Sequence, residues 1–422
     1  MNQDIKIMNR NWVIFGAILI QLCLGAIYAW SVFTPELKAV GWSNVQTQIV
    51  FSTGLAFFAI VMVFAGKKLA TWGPKKLAFS AGITLGVGYL LAGLFGGTNF
   101  WLTLIFIGVI GGAGIGLGYV VPISVGMRWF PDKKGMITGL AVAGFGFGAM
   151  GWVKLAGTWG NLIGNFGLAA TFMIYGVLFA ALTIAGSIFM KYPPEGWLPE
   201  GYQPHKVTGK KEHKPSVDFK PKDMMKTLPF YLVFLIFTFS AGAGLMSIGL
   251  MKLYPMQALQ DAGKSVAEAS AIAGTAMAVF FSLANGIGRI IWGTMSDKLG
   301  RKLSVLIMAL SQGIIVLLFT KMAGTPVLLY IGATIIGFNF GGNFALFPAF
   351  TADLFGDRNV GLNYPYIYLS YGVGGILGPI LGGMLGDMGN FGLAFTICGV
   401  LCLVGAGLAA LIKHPEKKIA YD

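Results

Sequence analysis

The sequence predicts an all-α membrane protein: twelve transmembrane helices in two pseudo-symmetric halves of six. Three observations predict it. First, 56% of the 422 residues are apolar and only 11% are charged, against roughly 25% charged in an ordinary soluble protein. This composition excludes a disordered chain and argues against a soluble enzyme. Second, twelve apolar runs are long enough to cross a hydrocarbon core of about 30 Å, which takes about 20 helical residues. They lie near 12–33, 45–65, 77–96, 101–126, 135–154, 167–190, 228–250, 268–292, 303–321, 326–350, 361–386 and 391–412. Third, the basic residues are lopsided. Twelve spans put both termini on one face, and 24 of the 30 lysines and arginines fall in segments on that face, with five on the other. The positive-inside rule makes the first face cytoplasmic. The net charge of +14 is then a topology signal that meets anionic lipid, not a nucleic-acid surface.

Taken in order, span 1 is too long for a secretory h-region and lacks a small-residue cleavage site, so it is retained. Gly66–Lys76 joins spans 2 and 3, and the basic segment Arg128–Gly135 joins spans 4 and 5. Spans 6 and 7 are separated by the long connection 191–227, which is Lys-rich and carries six prolines. It reads as an exposed linker between halves 1–190 and 228–422. Gly293–Lys302 joins spans 8 and 9. Cys23, Cys398 and Cys402 all lie inside spans; an odd number in such places reads as small buried hydrophobes, not disulfides. The glycine runs Gly111–Gly118 and Gly372–Pro379 follow no strand and do not fit a nucleotide loop. They read as packing faces that let helices approach closely.

The halves repeat. Gly66–Lys76 after span 2 returns as Gly293–Lys302 after span 8, a shift of 227 residues; Pro122 and Gly135 return as Pro348 and Gly361, a shift of 226. Two matches at a near-constant offset imply duplicated halves, the signature of rocker-type carriers with a midplane site between them.

The loop Gly293, Asp297, Lys298, Gly300, Arg301, Lys302 matches at every fixed position the signature G-x-x-x-D-[RK]-x-G-[RK]-[RK] of the major facilitator superfamily, which the whole chain resembles. The first copy is degenerate, with Ala70 and Thr71 where the acid and the first base belong. Finer features resemble the monocarboxylate porter and oxalate:formate antiporter branch, and within it the bacterial homologues that carry L-lactate. These are Gly25–Ser31 in span 1, Arg128–Gly135 leading into Gly139–Gly144, Arg289 in span 8, and Asn363-Tyr364 opening span 11. The resemblance implies the major facilitator fold. It also implies a cytoplasmic latch in which Asp297 meets a helix N-terminus and basic partners on the neighbouring span; a solvated turn obeying the charge rule is the alternative.

Arg289 is the one basic residue within a span. A charge in mid-helix costs about 2.5–3.5 kcal/mol on insertion scales, so it needs a partner or a task. Thr275, Ser282, Asn285 and Arg289 follow at spacings of 7, 3 and 4, which places them on one stripe facing a wet cavity. Spacing alone leaves a second reading, in which Arg289, one turn before Gly293, snorkels to the headgroups. The resemblance favours the first, because the span-8 arginine of that branch binds the substrate carboxylate. A guanidinium suits the task through its planar fork. All 16 acids lie in loops, tails or span ends, and His205, His213 and His414 lie in the linker or tail, so no side chain is an obvious counter-ion or proton carrier.

Two departures from the branch carry information. The eukaryotic porters have an Asp four residues before the arginine, where this chain has Asn285, which leaves both anion exchange and proton cotransport by another route open. The oxalate:formate antiporters have a span-11 lysine where Tyr371 stands. One fixed cation fits a monoanion better than a dianion, since a second unpaired carboxylate is costly to bury. Tyr28 and Tyr119 match aromatic site positions of the branch. Tyr364, Tyr368 and Tyr371 line one face of span 11; Tyr364 reads as interfacial belt, the deeper two as site residues. Asn339 and Asn343 share a face of span 10 and bond either substrate or neighbouring helices.

The expectation is a secondary carrier of small monocarboxylates such as L-lactate and pyruvate-like acids, proton-coupled and working by alternating access in the cell inner (plasma) membrane. Its expected partners are the acid, H+ and the lipid bilayer, with no nucleic acid and a monomer sufficing. An oxalate:formate-type exchanger is the alternative. A carrier-fold sensor would need a soluble output domain, for which the linker is too short. No metal-ligand cluster, catalytic triad or phosphate loop is seen, so neither cofactor nor enzymatic activity is expected.

Overall fold

The computed structural model describes residues 8–130, 134–157, 159–194, 197–199, 218–356 and 359–415. Most of the linker, with His205 and His213, lies outside the described residues, as do Lys133, Arg358, Lys417 and Lys418.

Among the described residues, twelve helices cross the molecule. In chain order they are α1 (Asn11–Ala39), α2 (44–72), α3 (74–96), α4 (Phe100–Trp129), α5 (Lys134–Ala156), α6 (Leu162–Ser187), α7 (Leu228–Leu250), α8 (Val266–Leu299), α9 (Arg301–Met322), α10 (Pro326–Phe355), α11 (Val360–Asp387) and α12 (Phe391–Leu411). The segment Asn44–Gly96 is continuous in its hydrogen bonding but far too long for one crossing at 1.5 Å per residue. Gly73, at φ 75° and ψ 161°, breaks it ahead of Pro74. Gly300, its repeat partner by the 227-residue shift, does the same between α8 and α9 at φ 85° and ψ 148°. A left-handed φ is open to glycine without steric cost, so the sequence repeat is a repeat of backbone geometry.

Helices α1–α6 and α7–α12 form the two halves. Burial separates inner from outer helices: 83% of the apolar window of α7 is buried, against 33% for α6. On α9, Leu303, Ile307, Leu310, Ile314 and Leu318 form an exposed apolar stripe, the face a lipid-facing helix presents. The glycine runs pack as expected. Gly112 and Gly116 sit against Gly54 and Phe58 of α2, while Gly114 and Gly118 sit against Leu85 and Ala81 of α3. On α11, Gly374 and Gly378 meet α7, whereas Gly372 and Gly375 meet Ala59 and Leu55 of α2 in the other half. The halves therefore meet along α2–α11 and along α5–α8, where a Cβ on Gly146 would stand 2.8 Å from the Gly286 nitrogen. The three cysteines are buried and unbridged.

The linker is less exposed at its end than expected. Phe219 and Met224 are buried, and the Phe219 carbonyl accepts 3.0 Å bonds from both Asn359 and Asn363 at the start of α11. Asn363 thus ties the chain entering the second half to α11. At the other end, Trp129 Nε1 donates to the Lys191 carbonyl at 2.7 Å.

Candidate functional site

Arg289 is fully buried on α8 and is met by neutral groups. Its Nε donates to Asn285 Oδ1 at 3.2 Å, one turn earlier, and Nη1 donates to the Val142 carbonyl of α5 at 2.8 Å. The guanidinium lies 4.2 Å from the Phe344 ring centroid and 5.4 Å from that of Phe145. A desolvated cation over aromatic faces gains about 2 kcal/mol, and a hydrogen bond to a charged donor about 1.5–3 kcal/mol. Together these offset the insertion penalty without a carboxylate. Among the described residues no acid pairs with Arg289, and its Nη2 has no hydrogen-bond partner. Snorkelling is excluded by its burial and by its contact with the opposite half.

An aromatic wall closes around it. Tyr28 of α1 and Tyr371 of α11 join hydroxyls across the halves at 2.9 Å. The Phe58 ring of α2 sits 5.0 Å from Tyr119 and 5.3 Å from Tyr368, and Tyr119 and Tyr368 sit 5.6 Å apart. The Arg289 guanidinium approaches the hydroxyls of Tyr28 and Tyr119. The hydroxyls of Tyr119, Tyr364 and Tyr368 and the Asn285 amide nitrogen are buried and unpaired. Buried polar groups are normally satisfied, so these groups, with Arg289 Nη2, leave hydrogen-bonding capacity unused beside the cation.

Local backbone brings these groups together. In α1 the stretch Gly25–Val32 tightens into a 3₁₀ helix, longer than such runs usually are. A Cβ on Gly25 would stand 2.8 Å from the Phe145 carbonyl carbon, so only glycine lets α1 close on α5 and set Tyr28 5.0 Å from Phe145. In α8 the stretch Ala276–Phe281 is a π helix. Its slower turn corrects the predicted stripe: Ser282, Asn285 and Arg289 stay together and buried, but Thr275 rotates off and is only half-buried. The stripe also meets a shut interface, not an open wet cavity.

Other expectations fare unevenly. Tyr364 is buried, its ring 5.5 Å from Tyr368; it extends the tyrosine column and is not interfacial belt. Asn339 donates to Ser311 Oγ of α9 at 3.0 Å, and Asn343 donates to the Phe340 carbonyl of its own helix at 3.1 Å. Asn339 thereby takes the helix-bonding option, apart from the Arg289 group. In the signature loop, Arg301 pairs with Asp297 at 2.5 Å and with Asp353 of α10 at 3.4 Å, and Lys302 donates to the Ile412 carbonyl at 3.0 Å. Both carboxylates are about half exposed (50% and 51%), so each pair is worth little alone. These bonds tie α8, α9, α10 and the end of α12 within the second half. Gly293 is buried inside α8, which continues through Asp297 and the exposed Lys298 to Leu299, and Gly300 makes the turn.

Sequence reasoning missed Phe58, Phe145, Phe344 and the Val142 carbonyl. With 33 phenylalanines in the chain, no pattern singles out three, and a backbone carbonyl has no sequence signal.

The chain matches a family model described as Major Facilitator Superfamily over residues 12–280 and 241–420. It is 30% identical over 370 residues to an uncharacterized MFS-type transporter, YhjX, of Escherichia coli K12, covering 86% of this chain and 85% of that protein. It is 24% identical over 425 residues to the oxalate:formate antiporter of Oxalobacter formigenes, covering 99% and 96%. It is 21% identical over 412 residues to monocarboxylate transporter 13 of Rattus norvegicus, covering 96% and 89%.

Proposed function

The chain belongs to the major facilitator superfamily, a family of transporters and not of enzymes, and from that premise we propose that it carries small monocarboxylates, L-lactate and pyruvate-like acids, by proton-coupled alternating access. The observation that carries the reading is Arg289: a fully buried guanidinium with an unused Nη2, held by neutral partners and neighboured by the unpaired Tyr119 hydroxyl. An entering carboxylate replaces the Val142 carbonyl with a charged acceptor and gains the planar two-point contact. Tyr119, Tyr368 and Asn285 read the oxygen at C2, and Tyr28 and Tyr371 close over the acid. The signature loop at Asp297 and Arg301 holds the cytoplasmic side, with both termini in the cytoplasm and the chain in the cell inner (plasma) membrane as a monomer.

The second reading is exchange of the oxalate:formate type, favoured by near full-length similarity to that antiporter. Against it, Tyr371 is neutral and occupied by Tyr28, so a dianion's second carboxylate lacks a cation. Uptake of labelled L-lactate into proteoliposomes tests the site. Arg289→Ala is expected to lose about 2–5 kcal/mol of substrate binding, the cost of truncating one partner of a buried charge pair, which abolishes measurable uptake while membrane insertion persists. Arg289→Lys fails with it, because an ammonium cannot reproduce the fork. Undiminished uptake by Arg289→Ala would refute the assignment, and competition by oxalate as effective as by pyruvate would reverse the ranking of substrates.

A further inference from the structure

The face opposite the termini carries a bond between the halves that the site does not use. Twelve crossings put the start of α2 and the end of α11 on that face. The first four N–H groups of a helix lack the usual backbone partner, and at α2 these belong to Ser43, Asn44, Val45 and Gln46. Ser43 N donates to Gln46 Oε1 at 2.9 Å and Gln46 N to Ser43 Oγ at 3.1 Å, a capping box within the first half. Asn44 N and Val45 N instead donate to Asp387, at 2.9 Å to Oδ1 and 3.1 Å to Oδ2. Asp387 is the last residue of α11, in the second half. A carboxylate at the C-terminus of its own helix is locally unfavourable, because that end of the helix dipole is already negative. At the N-terminus of a foreign helix it is favourable for the same reason. Asp387 breaks the local rule for α11 and satisfies it only across the interface.

The surrounding contacts are shaped for closure. A Cβ on Gly383, one turn before Asp387, would stand 3.0 Å from Gln48 Cγ and 3.1 Å from Val45 Cα, so the two helices touch here because a glycine is present. Gln48 Nε2 donates to the Gly249 carbonyl of α7 at 3.3 Å, again across the halves. Lys252, just beyond α7, is half-buried; desolvation lowers its pKa, and Glu36 near the end of α1 works against that drop. Below this layer Tyr28, Tyr371 and Arg289 are sealed.

We propose that Asp387 is a gating residue: its carboxylate, capping α2 from the other half, latches the face opposite the termini shut. Opening the central site to that face requires α2 and α11 to part at this point, which gives the two N–H groups back to water. Asp387 is exposed, so water replaces the lost bonds and the latch is weak enough to open in every cycle.

Labelling of Ser52→Cys tests the proposal in a background where the three native cysteines are alanine. Ser52 lies one turn beyond Gln48 on α2 and is buried. Right-side-out and inside-out vesicles are treated with an impermeant maleimide. Asp387→Ala is expected to raise the labelling rate roughly fivefold from the face opposite the termini only, the factor that about 1 kcal/mol of charge–dipole interaction represents. Asp387→Asn, which keeps an acceptor oxygen, raises it less and stands in should the alanine variant fail to fold. Ser43→Ala removes the α2 cap supplied from its own half and leaves the rate unchanged. Unaltered labelling in both Asp387 variants overturns the proposal, as does an equal rise in Ser43→Ala, which would make Asp387 a helix cap and no gate. The readout involves no substrate, so it is independent of the carboxylate assignment.

Discussion

Arg289 shows how a membrane protein can hold a charge on neutral partners. The guanidinium spreads its charge over an amide oxygen, a backbone carbonyl and two aromatic faces. That arrangement satisfies the cation with neutral groups and, on the proposed function, leaves a stronger acceptor, a carboxylate, something to gain. Part of this was legible in the sequence: a lone arginine among apolar residues is costly, and Asn285 four residues earlier shares its face. The rest was not, because Val142 and Phe145 reach Arg289 only when α5 packs on α8. The Tyr28–Tyr371 pair makes a separate prediction at this scale. Tyr28→Phe or Tyr371→Phe removes one neutral bond between the halves, a loss of about 1 kcal/mol. The double variant is expected to lose no more than either single one, since the two act as a unit. Thermal unfolding of the purified protein checks this; additive losses would show that the hydroxyls act separately.

At the scale of the element, departures from regular helix matter more than the helices themselves. The 3₁₀ stretch carries Tyr28, and the π stretch rotates Thr275 off the site face. Apolar periodicity assumes 3.6 residues per turn and cannot see such a change of pitch, which explains why the predicted stripe was one residue too long. Glycine breaks were more visible. Gly73 and Gly300 recur at one offset and share a left-handed backbone. Gly73→Ala and Gly300→Ala are each expected to cost about 1–3 kcal/mol, the penalty for a Cβ at positive φ with extended ψ, a region essentially restricted to glycine. The two costs should add, because the sites lie in different halves with no shared partners. Unfolding midpoints of the two single variants and the double variant measure this. Free tolerance of alanine at either position would mean that the turn can rebuild without a left-handed residue.

For the whole molecule, the halves touch both along α2–α11 and along α5–α8, with the charged centre sealed between them. Val142 and Asn285 give Arg289 neutral partners at that interface, so holding its charge does not require a carboxylate. On the proposed function, a cation satisfied by neutral groups lets the carrier return without cargo, which permits net transport; obligate exchange requires the opposite. Proteoliposomes without internal substrate, given an inward proton gradient, are expected to accumulate L-lactate. Uptake confined to preloaded vesicles would instead establish exchange.

The sequence by itself determined the class of protein, the twelve crossings, the repeat and the identity of the one charge within a span. Each of these follows from local cost, because apolar length, loop charge and a misplaced arginine all carry a free energy that does not depend on which helices are neighbours. Only the tertiary structure decided what surrounds that charge, where Asn339 and Tyr364 point, and that Asp387 caps a helix 343 residues away in the chain. Those outcomes depend on which helix packs on which, and close packing between distant segments leaves no periodic trace in either one.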